Sequence, residues 1–89
     1  MGKPALLLSS ELIRAARALL RWEQRDLARA SSVSLPTIKR LESRPGIMAA
    51  HMSTVAALRK ALEATGVEFI DENGGGPGVR LRKRQQRNG

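Results

Sequence analysis

Residues 24–41 read QRDLARASSVSLPTIKRL, and this run decides the fold. Glu23 to Ala30 has the make-up of a short helix that turns Leu27 and Ala28 inward. Ser31-Ser32-Val33-Ser34 then interrupts it with turn and capping residues. Ser34 is a good N-cap for a second helix, and Pro36 falls in its first turn, where a missing N–H costs nothing. Ile38 and Leu41 form the only apolar stripe of that helix, which is expected to run to about Ser43 and to stop at Arg44-Pro45-Gly46.

Upstream, Ser9 or Ser10 caps a first helix whose apolar face is Leu12, Ile13, Ala16, Leu19 and Leu20. Arg14, Arg17 and Arg21 fall on its other side, as solvated charges or as contacts to an anionic backbone. Downstream, residues 45–52 read as a loop and Ser53 or Thr54 as the cap of a fourth helix. Its inward set is Val55, Leu58, Ala61 and Leu62, and Gly66 ends it. The pattern then shifts to period two. Val67–Asp71 and Val79–Arg82 are expected strands around an Asn73–Gly78 loop. A lone ribbon of two strands is marginal in water, so these either lean on the helices or pair with another subunit.

With 89 residues there is room for one small core, and Trp22 and Phe69 are its only aromatics. A core of short aliphatics suits a mainly α protein, here a bundle of four or five helices with a short C-terminal β-hairpin or strand pair. The expected organisation is an extension over 1–8, a helical domain over 9–66, a β element over 67–82 and a disordered basic tail over 83–89. Sixteen Lys and Arg against eight Asp and Glu leave a net charge of +8, which points to polyanionic partners, nucleic acid first. No cysteine is present, and His51 alone cannot build a metal site, so neither metal nor cofactor is expected. No paired carboxylates, nucleophile–base pair or phosphate-cradling glycine loop suggests an enzyme; the glycines at 74–78 lie between two strands with no helix following. No apolar run approaches the ~20 residues of a membrane span, and Pro4–Ser10 is too short for a signal core. A cytoplasmic protein, with no membrane or small-molecule partner, is expected.

Two short helices joined by a tight turn are the layout of a helix-turn-helix, and its physical demands are met in turn. Ala28 is small where the helices approach, Val33 plugs the angle between them, and Ile38 and Leu41 bury the second helix. Leu35, Pro36, Thr37, Lys39, Arg40 and Arg44 are left facing outward. The runs Gln24–Ala30 and Val33–Glu42 resemble the Cro/repressor-type (Xre) helix-turn-helix family. The similarity extends over about Glu11 to Gly66 and implies a lambda-repressor-like fold.

What the resemblance implies is a sequence-specific transcriptional regulator that binds double-stranded DNA through its third helix, with repression as the default effect. Leu35, Pro36, Thr37 and Arg40 match positions that usually face bases, whereas Gln24, Ser34, Lys39 and Arg44 lie where backbone contact is expected. Two positions depart from the family pattern. Ser32 stands where glycine is usual, so the turn either accepts a strained serine or is rebuilt, and Glu23 replaces the usual Ser or Thr cap. Leu35 and Pro36 cannot read hydrogen-bond donors and acceptors, which leaves specificity to Arg40 and DNA shape.

Such regulators usually bind as two-fold dimers on half-sites about 34 Å apart. Val67, Phe69, Ile70, Val79 and Leu81 are the expected homodimer contacts, the alternative being a hairpin that only covers its own core. The five cations from Arg80 to Arg87 add salt-sensitive attraction, and Glu68, Asp71 and Glu72 are expected to face away from DNA. A protein-binding module of antiactivator or antitoxin type on the same fold is the competing reading, favoured by the apolar Leu35-Pro36 pair. A nonspecific nucleic-acid binder is a third.

Overall fold

The structure is a computed structural model and describes residues 8–83. Its described part is mainly helical: four α-helices precede one two-stranded antiparallel sheet. α1 spans Ser10–Leu20, α2 Gln24–Ser31, α3 Leu35–Glu42 and α4 Met52–Ala64, followed by β1 over Val67–Ile70 and β2 over Gly78–Leu81. No described helix is long and apolar enough to cross a membrane.

Each helix boundary has a local cause. The Ser9 hydroxyl accepts the Leu12 amide at 3.1 Å and starts α1. Arg21 ends it in the left-handed conformation, φ 58°, so that the chain turns sharply toward α2. At the start of α2 the Glu23 amide donates to the Asp26 carboxylate at 2.8 Å, and this covers a group that helices otherwise leave open. Ser32 closes α2 with φ 64°, so the turn accepts a left-handed serine and is not rebuilt. Ser34 caps α3 by accepting the Thr37 amide at 3.3 Å, with Pro36 inside the first turn.

α4 corrects the expected start. It begins at Met52 with His51 as its N-cap, and no side chain bonds its first amides. Ser53 and Thr54 therefore lie inside the first turn. They were the expected caps on residue preference alone, but the extended residue that precedes the helix is His51.

The core joins Leu8, Ile13, Ala16, Leu27, Ile38, Leu41, Met48, Val55, Leu58, Ala61, Leu62 and Val67, with Ala28, Val33 and Trp22 packed against it. Ala28 in α2 and Val33 in the α2–α3 turn are both half-buried against this core. Leu19 is exposed although its spacing fits the apolar face; the α1 stripe is narrower than the run of leucines suggests. Leu8, assigned to an N-terminal extension, is buried, and its carbonyl accepts the Met48 amide at 3.0 Å. The rest of that extension, like the tail beyond Lys83, lies outside the described residues.

The ribbon is a hairpin within the chain, pairing Val67 with Leu81, Glu68 with Arg80, Phe69 with Val79 and Ile70 with Gly78. β1 rests on α4 and β2 on α1. Val67 is completely buried, so the β element is continuous with the helical core.

Candidate nucleic-acid interface

α3 divides its residues between two environments. Ile38 and Leu41 are buried, while Pro36, Lys39 and Arg40 are exposed and Leu35 and Thr37 are half-buried. Arg44, just beyond the helix, is exposed as well. The Ser34 and Thr37 side chains hold each other, with the Ser34 hydroxyl donating to Thr37 Oγ1 at 2.9 Å. This engages the Thr37 hydroxyl in the cap of α3.

The charges around this face are uneven. Glu11, Glu23, Asp26, Glu42, Glu63 and Glu68 are each held by an amide or a cation of the chain. Lys39, Arg40 and Arg44 have no acidic partner among the described residues. The outward side of α3 is consequently a cluster of uncompensated positive charge, able to attract an anionic partner over about a Debye length, roughly 8 Å at physiological salt.

A depression beside α3 is lined by Thr37, Arg40, Ala49, Ala50, His51 and Thr54. The start of α4 borders it. The Thr54 and Val55 amides turn back to the His51 carbonyl, whereas those of Met52 and Ser53 find no acceptor among the described residues. Two free amides at a helix N-terminus next to Arg40 suit one anionic oxygen or more. Reading for residue types missed this feature, because backbone groups leave no mark in the sequence. Its faint signal is the lack of a good cap before Met52.

Gln24 and Arg17 behave differently from expectation. Arg17, placed on the solvated side of α1, instead forks onto Glu42, with Nε to Oε2 at 2.8 Å and Nη2 to Oε1 at 2.6 Å. Its Nη1 also donates to the Trp22 carbonyl at 3.0 Å. Glu42 is only 5 % exposed, so this pair is a tie between α1 and the end of α3 and not a surface charge. Gln24 Nε2 donates to the same Glu42 oxygen at 3.0 Å. One N–H of the Gln24 amide is therefore used internally, and only the remainder of that side chain is available to an external phosphate.

The five expected dimer residues separate by burial. Val67 belongs to the chain's own core, Phe69 and Val79 pack against its edge, and Ile70 and Leu81 are exposed. Arg59 lies over the Phe69 ring, 5.0 Å from its centroid, and bonds Glu63 at 2.9 Å. Glu68 is engaged by Arg80 at 2.7 Å, whereas Asp71 and Glu72 stay exposed beyond β1.

No protein-family model matches the chain, and no curated protein is significantly similar to it.

Proposed function

We propose that the chain is a sequence-specific DNA-binding transcriptional regulator of the Cro/repressor helix-turn-helix type. In this reading α2 and α3 are the two helices of the motif, and α3 enters the major groove. A homodimer covers an inverted repeat, and the simplest outcome is repression by occlusion. The observation that carries the reading is the character of α3: anchored through Ile38 and Leu41, it presents Lys39, Arg40 and Arg44 with no internal acid to neutralise them. The uncapped start of α4 supports it, since free amides beside such a helix suit a DNA phosphate. Leu35 and Pro36 supply apolar contact to a thymine methyl, and Arg40 can pair with a guanine edge.

The test is recovery and sequencing of genomic fragments bound by the purified chain at physiological salt. A small set of sites sharing an inverted repeat is the expected result. Uniform recovery over all fragments would replace this reading with nonspecific binding.

A protein-binding module is the second reading. It is favoured by the apolar Leu35-Pro36 pair and by Met52, which is 68 % exposed. Under that reading no fragment is retained, and alanine substitution of Leu35 and Met52 abolishes capture of a protein partner.

A further inference from the structure

The hairpin carries more information about self-association than its apolar content suggests. The Arg82 amide donates to the Gly66 carbonyl at 2.7 Å, which sets residues 66 and 82 at a hydrogen-bonded position of the ladder, although the Gly66 amide itself donates to the Glu63 carbonyl. Antiparallel ladders alternate, which makes Glu68–Arg80 and Ile70–Gly78 bonded pairs and Val67–Leu81 and Phe69–Val79 non-bonded ones. The amide and carbonyl groups of Val79 and Leu81 therefore point away from β1. They have no backbone partner among the described residues. β2 is also the more exposed strand, and Leu81 is 46 % exposed although its face of the sheet is the one that includes buried Val67. An open edge of this kind is a template for another strand.

We infer that β2 pairs antiparallel with β2 of a second copy across a two-fold axis at Arg80, giving a four-stranded sheet ordered β1-β2-β2-β1. The inference rests on the homodimer part of the reading above and assigns its register. With the axis at Arg80, Val79 lies opposite Leu81 of the second copy and Leu81 opposite its Val79. Both residues have outward-pointing backbone groups, so the two pairs exchange hydrogen bonds, and each exposed Leu81 gains an apolar neighbour.

Neighbouring registers are worse. An axis at Leu81 sets Arg80 against Arg82 of the second copy, two pairs of like charge. An axis at Val79 sets Leu81 against Pro77, which has no amide to donate. The Arg80 axis does bring two arginines together. Each is already bonded to its own Glu68, however, so the row across the sheet reads acid, base, base, acid and carries no net charge.

The experiment is cysteine crosslinking with no DNA present, so that it is decided independently of DNA binding. The chain has no cysteine, and single substitutions therefore report without background. Arg80 and its symmetry mate form a non-bonded pair with Cα atoms about 4.5 Å apart, within reach of a disulfide. Leu81 and its mate are diagonal neighbours, about 7–8 Å apart, and too far. Under mild oxidation Arg80→Cys is expected to become mostly disulfide-linked dimer, at least tenfold more than Leu81→Cys. In parallel, Leu81→Pro removes an outward amide without touching the β1–β2 ladder. It is expected to sediment as a monomer with unchanged helical circular dichroism, whereas the parent chain sediments as a dimer. A monomeric parent, preferred crosslinking of Leu81→Cys, or no crosslinking of either variant overturns the proposal.

Discussion

Ser32 holds a left-handed conformation that a residue with a Cβ adopts at a cost of order 1 kcal/mol or more. Ser32→Gly relieves it, in part offset by the greater freedom glycine has in the unfolded chain. The variant is expected to gain up to about 1 kcal/mol, a rise in Tm of at most roughly 4–8 °C for a domain of this size, read by thermal denaturation. Arg17 and Glu42 act as a unit. Removing Arg17 leaves a carboxylate buried with only Gln24 to hold it, and Arg17→Met is expected to cost about 3 kcal/mol in urea unfolding. Replacing both, Arg17→Met with Glu42→Met, is expected to cost less than that single change, because no unpaired charge remains.

Glu11 is an exposed carboxylate held below its usual pKa, chiefly by the Gly46 amide and next by its own amide, with Arg14 and Ser10 contributing less. A pKa lower in the folded than in the unfolded chain means stability that is present above the unfolded value and lost as pH falls through the folded one. Glu11→Gln is expected to flatten the acid limb of a stability–pH curve and to leave its neutral part nearly unchanged in slope. Arg40→Ala belongs to the same scale. It is expected to weaken binding to the preferred DNA site by about 1–3 kcal/mol and to relax selection at one base pair, as read by anisotropy titration over single-base variants. An equal loss on random DNA would make Arg40 a phosphate contact.

At the scale of elements, the helices differ in how their ends are secured. α2 depends on Asp26 bonding the Glu23 amide, and Asp26→Ala is expected to cost about 1 kcal/mol. The sequence marked only Glu23 as a departure from the usual Ser or Thr cap, and the Asp26 contact that compensates for it came from the structure. The α2–α3 junction was legible, since Ala28, Val33, Ser34 and Pro36 each answer a local steric or hydrogen-bonding need. The burial of Arg17 was not. Arg17 follows Ile13 by four residues, so periodicity sets it at the flank of the buried face and its charge alone suggested the solvated side; whether that flank meets water or α3 depends on where α3 packs. Gln24 shows the same limit: its type suits a phosphate contact, and its neighbour Glu42 is eighteen residues away in the chain.

Across the whole molecule, the +8 net charge and the internal engagement of most acids leave the surface strongly cationic. DNA affinity is accordingly expected to fall steeply with salt, with a log–log slope of about −0.9 for each phosphate neutralised. Lys39→Gln is expected to reduce that slope by about one while leaving sequence preference intact, measured as titrations at several salt concentrations. The hairpin binds this scale to the smaller ones. Buried Val67 ties it to the helices, and its outer strand has backbone groups with no backbone partner among the described residues.

The order of elements, the caps of α1 and α3, the strand positions and the cationic outward set of α3 followed from the sequence by itself, because each rests on contacts within a few residues. The Arg17–Glu42–Gln24 tie, the exposure of Leu19, the inclusion of Leu8 and Met48 in the core and the bare N-terminus of α4 were decided only by tertiary structure. Each of these depends on which distant surface arrives at a given face, and local periodicity carries no information about that arrival.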